Sequence, residues 1–448
     1  MKSTVLVSVL LLASIYVSCS DSDDHLTSGP EQPVVEVDEE LEFKRWIYAS
    51  MNRHYYWRED LPDSTTCNYD LTPSEFYKSL LSPKDRFSYM SYNDYYDPDR
   101  ELNFGFEYQA YKDLSNQLGW LVLYTTSHEA DAHVRRGDFV RLDGIENGVA
   151  TFKKLKVENG VFIEDTTFKL TGADKWTANS TVKMDSIYHY GGKKVGYLVY
   201  LQYENKSDLY PSLEKFKNAQ IDELILDLRY NPGGYVSTAK YLCNCIVPSS
   251  GYENVFQIQH FNDIIAAENE LNYGSPIDVE YFNSAPQTGT ATLGKGVIAL
   301  GINRLVVLTS NGTASASESN IIGLRPYMDV ICIGETTYGK GVGSYTVRND
   351  KYRYALQPIT FQYYNALYET VPNEGIEPDF YVDSSPTSQK YHLGDLKEPL
   401  LEAAFAYLFG TASPAAKDMT RTGHNQLTLM KQGEPSYMEK FKQKHFER

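Results

Sequence analysis

The sequence predicts a multidomain α/β protein with three folded parts: an N-terminal helical segment, a β-rich module and an α/β core. The chain has 448 residues, which is enough for two or three domains. Its hydrophobic content of 42% is sufficient for a sizeable core. From about Lys193 onward short apolar runs alternate with helical patterns, which is typical of a largely internal sheet with helices packed on it.

The first residues predict a secretion signal of the lipoprotein type over residues 1–19. Lys2 precedes an apolar stretch at residues 5–17 that is too short to span a bilayer, and Cys19 follows it. We expect Cys19 to become the lipidated first residue, although Tyr16 replaces the leucine usual three positions earlier. Ordinary cleavage nearby, with Cys19 incidental, is the alternative. The acidic residues 20–38 predict a linker, and the protein is expected to be exported and lipid-anchored in the cell envelope, at the outer membrane or its periplasmic face.

Net charge excludes some partners. The formal charge of −17 argues against nucleic acid and against binding anionic membranes through a basic surface. The four cysteines after Cys19 are too few for a disulfide framework in a chain of this size, so they are expected mostly in the core.

The helical segment is predicted at residues 39–98 and the β-rich module at 99–187. Apolar spacing predicts helices over residues 41–51 and 73–81, with Thr72 as the N-cap of the second. In the module, apolar runs at 120–124 and 139–142 are separated by turn signals, which indicates strands.

The α/β core is predicted at residues 188–410, followed by a polar tail at 411–448. Four apolar runs indicate buried strands, at residues 195–201, 223–228, 305–308 and 330–333. Helices are predicted at 209–217, 236–245, 316–324 and 399–408, and a hairpin is predicted from 351–364 and 366–371.

Ser315 lies in the first of two Gly-containing stretches that each follow an apolar run. The stretch is Asn-Gly-Thr-Ala-Ser-Ala-Ser-Glu, residues 311–318. A serine at a helix start is well placed for nucleophilic attack, because the unpaired N–H groups there can face an oxyanion. The simpler interpretation is a helix capping box formed by Ser315 and Glu318.

Lys340 lies in the second stretch, Gly-Glu-Thr-Thr-Tyr-Gly-Lys-Gly, residues 334–341. A lysine can activate a serine if burial lowers its pKa from ~10.4 to about 7, a change of about 4–5 kcal/mol. The stretch also matches most of a phosphate-binding loop, but Gly341 stands where a magnesium-binding Ser or Thr is required, so no nucleotide is expected. A solvated surface lysine is the other alternative.

A third stretch, Asp-Leu-Arg-Tyr-Asn-Pro-Gly-Gly at residues 227–234, follows a predicted strand. Its two glycines allow the backbone to approach a substrate closely. A plain turn is the alternative.

Together the three stretches resemble the C-terminal processing peptidases, a serine peptidase family with a Ser-Lys dyad. Their order and the 25-residue separation of Ser315 and Lys340 match that family, and so do Gly-Ile-Glu-Pro-Asp at 375–379 and Leu-Gly-Asp at 393–395. The resemblance covers most of the chain and implies a crotonase-like α/β catalytic core.

The resemblance implies roles for individual residues. Ser315 would be the nucleophile and Lys340 the general base, with the oxyanion hole formed by the amide of Ala316 and that of Gly233 or Gly234. The family often has Gln four residues after the lysine, where this chain has Ser344. The residue that orients the base is therefore open, with Ser344 and Glu318 as candidates.

The β-rich module resembles a PDZ domain. The resemblance implies that Phe104, Gly105 and Phe106 form a loop that binds a peptide carboxylate, and that residues 134–138 form the Gly-Asp turn of such a module. A PDZ-like module can bind a peptide C-terminus by adding it as a strand.

The expected activity is that of a serine endopeptidase that cleaves proteins or peptides near their C-termini, without a metal or an organic cofactor. The chain lacks His-Glu-x-x-His and Gly-x-Ser-x-Gly motifs. The alternative is a catalytically inactive, peptide-binding lipoprotein with the same fold.

Overall fold

The structure of the protein is a computed structural model, which describes residues 38–92, 102–174, 181–283, 296–383, 391–411 and 427–429. The predicted signal, Cys19 and nearly all of the predicted linker lie outside the described residues. No α-helix in these ranges is long and apolar enough to cross a membrane.

The described residues form helices mainly at the N-terminus and in the core, and strands throughout. The helices are α1 (Glu39–His54), α2 (Pro73–Ser79), α3 (His128–Asp131), α4 (Tyr210–Ala219), α5 (Val236–Ile246), α6 (Asp263–Tyr273), α7 (Ala316–Leu324) and α8 (Pro399–Phe409). The strands are β1 (Tyr89–Tyr92), β2 (Leu102–Asn103), β3 (Phe106–Lys112), β4 (Leu118–Thr125), β5 (Phe139–Glu146), β6 (Val149–Glu158), β7 (Val161–Thr171), β8 (Ala173–Asp174), β9 (Val182–Tyr190), β10 (Lys193–Tyr200), β11 (Glu223–Asp227), β12 (Val255–Phe261), β13 (Ile277–Tyr281), β14 (Arg304–Thr309), β15 (Asp329–Gly334), β16 (Val342–Ser344), β17 (Val347–Asn349), β18 (Tyr354–Gln357), β19 (Ile359–Tyr364), β20 (Phe380–Tyr381) and β21 (Thr428–Leu429).

A six-stranded sheet forms the centre of the α/β core, with the order β20-β15-β14-β11-β10-β9. All neighbours pair in parallel except β9, which is antiparallel to β10. The apolar runs predicted as buried strands are therefore confirmed as β10, β11, β14 and β15. The carboxyl ends of β11, β14 and β15 lie side by side, at the edge where α/β sheets place their functional loops.

Helices cover both faces of this sheet, which explains why its strands are continuously apolar. On one face, α4, α5 and α7 pack in a core that includes Phe216, Leu242 and Ile321. On the other face, α8 packs through Leu400 and Leu401. A second, antiparallel sheet, β13-β12-β19-β16, lies on the α7 side and contributes Phe256 and Phe361 to the first core.

The N-terminal helices pack on a small sheet from the core, β1-β18-β17. Both predicted helices are confirmed, and Thr72 and Glu75 form a capping box at the start of α2. Phe43, Ile47 and Phe76 pack with Leu356 of β18. Because β1 pairs with β18, the chain that follows the two helices becomes a strand of this small sheet.

The predicted hairpin of residues 351–364 and 366–371 is wrong. The observed hairpin joins β17 to β18, while residues 366–368 form a turn and residues 369–371 form no strand. The cause is the Asn365 side chain, whose oxygen accepts hydrogen bonds from the N–H groups of Leu367 and Glu369. Such a local side-chain bond competes with strand pairing.

The β-rich module forms a six-stranded antiparallel sheet with the order β21-β3-β4-β5-β6-β7. The predicted strands at 120–124 and 139–142 are confirmed as parts of β4 and β5. The edge strand β21 comes from the predicted polar tail and pairs antiparallel with the end of β3, at Lys112 and Tyr111. A short stretch of the tail thus belongs to this sheet.

Candidate active site

The three stretches singled out in the sequence lie next to one another at the carboxyl ends of β11, β14 and β15. The Thr313 hydroxyl donates to the carbonyl of Leu228 over 2.8 Å, and the Ser317 hydroxyl donates to the carbonyl of Asn231 over 2.9 Å. The amide of Ala314 donates to the same Asn231 carbonyl. These bonds hold the Ser315 loop against the Gly233-Gly234 loop.

Ser315 has an unusual backbone conformation. Its φ is +56° and its ψ is −113°, directly before helix α7 begins at Ala316. A non-glycine residue with positive φ is uncommon and is retained where its surroundings fix it, often at functional sites. The conformation places the half-buried Ser315 side chain at the N-terminus of α7, where amide groups lack partners in the helix.

The glycine pair lies against the Ser315 loop. A Cβ atom on Gly233 would lie 2.9 Å from the amide nitrogen of Ala316 and 2.9 Å from Cβ of Ser315, so only glycine permits this approach. The amide of Gly233 donates to the side chain of Asn231. No hydrogen-bond acceptor is seen for the amide of Gly234 among the described residues, so the choice between Gly233 and Gly234 as partner of the Ala316 amide stays a prediction.

Glu318 joins the two loops that carry Ser315 and Lys340. One carboxylate oxygen, Oε2, accepts from the backbone amide of Ser315 over 2.8 Å and from that of Lys340 over 2.9 Å. The other, Oε1, accepts from the Thr337 hydroxyl over 2.5 Å and from the Gly339 amide over 2.8 Å. The side chain is fully buried, and burial raises the pKa of its carboxyl while the four donors act against that rise. The predicted capping glutamate therefore also connects the two loops through its hydrogen bonds.

Tyr363 provides a second connection that the sequence did not indicate. Its buried hydroxyl lies 3.0 Å from the carbonyl oxygen of Ser315 and 2.9 Å from that of Lys340, so one donor serves both. Tyr363 lies on β19, one of several aromatic residues in an ordinary apolar strand. Nothing in its sequence context distinguishes it from a core tyrosine.

Lys340 is half-buried, and burial lowers the pKa of its amine from the ordinary value, while the nearby carboxylates of Asp85 and Glu318 act in the opposite direction. Its Nζ lies 5.4 Å from the centre of the Phe87 ring. Within the described residues, no hydrogen bond joins Lys340 Nζ to Ser315 Oγ. Catalytic hydrogen bonds are often long without substrate and tighten in the complex.

Ser344, the residue in place of the expected glutamine, lies on β16. Its hydroxyl accepts a hydrogen bond of 2.9 Å from the side-chain amide of Gln357 on β18. The Oε1 atom of Gln357 accepts in turn from Thr346 over 2.6 Å. A glutamine is therefore present beside position 344, supplied by a different strand.

A buried charge network lies beneath the Gly233-Gly234 loop. Arg229 is fully buried and pairs with Asp227 and Glu398, through nitrogen–oxygen distances of 2.8 Å and 2.5 Å respectively. Arg136, from the predicted Gly-Asp turn of the β-rich module, donates to the hydroxyl of Tyr230 and lies 3.7 Å from Glu398. The Asp-Leu-Arg motif contains Asp227 and Arg229, but their partner Glu398 lies 169 positions after Arg229.

Phe104, Gly105 and Phe106 lie at the start of β3 in the β-rich module. Phe104 and Phe106 are buried, and their rings pack against Phe152 in the core of the sheet. Gly105 has a φ of +80°, and its amide donates to the side chain of Asn103. The two aromatic side chains thus support the module internally, and both backbone groups of Gly105 already have partners, since its carbonyl accepts from the amide of Thr126.

Two family models match this chain. The model of Peptidase family S41 matches residues 194–382, and the model of the Peptidase S41 N-terminal domain matches residues 42–89. Together the matches span more than half of the chain. The chain belongs to peptidase family S41. The first match contains all three loops of the site, and the second contains Asp85 and Phe87.

Individual S41 relatives agree with this result. The chain is 32% identical to the carboxy-terminal processing protease CtpA of Bacillus subtilis over 138 residues, which are 30% of this chain and 22% of the relative. It is 23% identical to a probable CtpA-like serine protease of Staphylococcus saprophyticus over 254 residues, 54% of this chain and 44% of the relative. The chain thus spans less than half the length of these curated relatives.

A solved structure shows the same fold. The putative S41 protease of Bacteroides fragilis superposes with a TM-score of 0.68 at 24% identity, covering 82% of this chain and 97% of the other. The mixed α/β architecture with several sheets and an N-terminal helical segment is therefore the S41 protease fold.

Proposed function

We propose that this S41 protein is a serine endopeptidase that cleaves proteins or peptides near their C-termini with Ser315 and Lys340. The observation that carries the proposal is the single Glu318 oxygen that accepts from the backbone amides of both residues. The two loops, which follow separate strands, are thereby held at a fixed position relative to each other. A scaffold without chemistry has no need for such a fixed arrangement of a serine and a partly buried lysine.

The reaction follows the logic of serine acyl transfer. As the hydroxyl oxygen of Ser315 attacks the peptide carbonyl, its proton moves to the neutral amine of Lys340. The oxyanion receives hydrogen bonds from the amides of Ala316 and of Gly234 or Gly233. Lys340 then gives the proton to the leaving amine, and an activated water releases the acyl group from Ser315.

The orienting role is assigned to Glu318 and Ser344 in different ways. Glu318 positions the backbone of both reacting residues, as its hydrogen bonds support. Ser344 is proposed to act together with Gln357, whose amide reaches its hydroxyl, in place of the glutamine that the family often has. Both are positioning residues, because neither is proposed to touch the substrate.

The test is hydrolysis of an unstructured protein by the wild type, Ser315→Ala and Lys340→Ala, followed by mass spectrometry of the products. We expect each variant to lose roughly 10³-fold or more in kcat/KM, because each removes a group that acts in the transition state. Ser250→Ala and Lys217→Ala, at exposed positions, are the matched controls and should retain full activity. Equal cleavage by all variants, or none by the wild type, would exclude the dyad; the latter result is what an inactive peptide-binding protein gives.

The same substrates with a free or an amidated C-terminus test the proposed PDZ-like role. If the backbone at Phe104, Gly105 and Phe106 binds a terminal carboxylate, amidation should raise KM for long substrates and leave internal cleavage sites unchanged. Equal kinetics for both forms would argue against carboxylate binding by the module while leaving the dyad unaffected.

We also propose export and a lipid anchor at Cys19, on the evidence of the N-terminal sequence alone. Cells that express the wild type with a labelled fatty acid should incorporate the label into the protein and retain it in the membrane fraction. Cys19→Ser should remove both the label and the membrane association, because the thioether that carries the lipid cannot form. A wild-type protein without label would contradict the anchor.

A further inference from the structure

The segment that follows helix α2, residues 82–88, lies over the Lys340 loop. Asp85 fixes the shape of this segment, since its carboxylate accepts from the hydroxyl of Tyr55 over 2.7 Å and from the amides of Phe87 and Ser88 over 2.8 and 2.9 Å. Tyr55 is fully buried at the end of α1. The helical part of the chain therefore sets the position of the Phe87 backbone.

Several contacts join this segment to the Lys340 loop. Arg86 donates from Nη1 to the carbonyl of Asn373 over 2.8 Å, and its guanidinium carbon lies 5.1 Å from the Phe87 ring centre and 5.5 Å from that of Tyr338. The Phe87 and Tyr338 rings are 6.0 Å apart. Asn373 itself contacts the loop, because a Cβ on Gly339 would lie 2.2 Å from its carbonyl oxygen. The segment thus contacts the loop at Tyr338 and, through Asn373, lies beside Gly339.

The Phe87 ring is directed at the Lys340 amine, with Nζ 5.4 Å from its centre. We propose that Phe87 is a positioning residue of the active site, which covers the Lys340 amine from the N-terminal side and keeps bulk water away from it. The N-terminal domain would then complete the site rather than merely flank it. This inference rests on the proposed function only in its assignment of Lys340 as the base.

Opposing effects act on the pKa of the Lys340 amine, and their balance decides whether removal of the Phe87 ring raises or lowers it. An aromatic face attracts the charged ammonium form, and so do the carboxylates of Asp85 on the same segment and Glu318 on α7. Burial favours the neutral amine and is the largest influence, so the pKa of Lys340 is lowered. Arg86 lies on the Phe87 ring and adds a positive charge nearby, while the hydroxyl of Tyr363 contacts the Lys340 carbonyl rather than its amine. Removing the cover should therefore raise the pKa.

The experiment measures the pKa of Lys340 directly, by the pH dependence of its competitive acetylation and mass spectrometry of the peptide that contains it. Phe87→Ala should raise this pKa by about one pH unit or more, because water then reaches the amine. Phe87→Leu, which keeps an apolar cover without a π face, should keep the pKa at or slightly below the wild-type value. The acid limb of kcat/KM should move by the same amount, because only the neutral amine accepts the serine proton and activity falls as pH drops through its pKa.

Controls separate this proposal from general damage and from the proposed function. Phe409→Ala, at a half-buried ring on the far helix α8, should leave the pKa of Lys340 unchanged. Phe87→Gln, which keeps the bulk but brings a polar amide, should raise the pKa and replaces the alanine variant if that variant does not fold. An unchanged or lowered pKa in Phe87→Ala and Phe87→Gln, or an equal rise in Phe87→Leu, overturns the proposal. Acetylation does not require turnover, so the two proposals can fail separately. A wild type that cleaves nothing but whose Lys340 pKa depends on Phe87 would contradict the peptidase assignment and support the proposed role of Phe87.

Discussion

Glu318→Ala is expected to lose about 10²- to 10³-fold in kcat/KM, together with roughly 3–5 kcal/mol of stability. The carboxylate is the shared acceptor for the amides of Ser315, Gly339 and Lys340 and for the Thr337 hydroxyl. Each buried donor left without an acceptor costs about 1–3 kcal/mol, and a displacement of about 1 Å between reacting groups can cost 10²-fold in rate. Steady-state kinetics and urea unfolding measure the two effects.

Glu75→Ala is the matched control for this prediction. Glu75 has the same capping-box position at the exposed start of helix α2 that Glu318 has in α7, and Thr72 is the N-cap residue there, as Ser315 is in α7. Its loss should destabilise the protein much less than the loss of Glu318 and leave kcat/KM unchanged. If Glu318→Ala behaves like Glu75→Ala, Glu318 is a helix cap and the connection between the loops has no catalytic importance.

Arg229→Met is expected to destabilise the protein by about 3–5 kcal/mol at neutral pH. The arginine is fully buried, and its removal leaves the buried carboxylates of Asp227 and Glu398 without it, while Arg136 lies 3.7 Å from Glu398. A buried charge without its partner is one of the few single changes with an effect of this size. Arg53→Met, which breaks the exposed pair with Glu268, should cost at most about 1 kcal/mol.

The pH dependence of Arg229→Met has a defined sign. In the wild type burial would raise the pKa of Glu398, but Arg229 outweighs burial and holds it below its usual range. The pair therefore stabilises the protein above the ordinary glutamate pKa, and this contribution is lost as pH falls through the lowered value. In the variant burial dominates and raises the pKa of Glu398. The difference in free energy of unfolding between the wild type and Arg229→Met should therefore shrink as the pH is lowered toward about pH 4. A stability difference that stays constant or grows over this pH range would contradict the pairing of Arg229 with Glu398.

Much of the α/β core could be predicted because its signals are local. The apolar runs of β10, β11, β14 and β15 are buried on both faces, and such strands lack the alternation that would make them ambiguous with an exposed sheet. Helix α7 is predictable from a capping box whose glutamate does bond to the Ser315 amide. The hairpin prediction is wrong at Asn365, because one side-chain oxygen captures the amides that a strand would have used.

The sequence alone determined the candidate pair and its family, since the residues of a catalytic motif are close in the chain and need no distant partner to be recognised. Only the tertiary structure decided what surrounds that pair. Tyr363 bonds to the carbonyls of both residues, the Phe87 ring lies near the Lys340 amine, and Glu398 pairs with Arg229 beneath the glycine loop. These three residues lie outside the motifs, and each is an ordinary residue in its own context. The physical reason is that hydrogen bonding and exclusion of water depend on which atoms meet in space. Folding brings those atoms together from distant parts of the chain, and a local sequence pattern does not indicate such contacts.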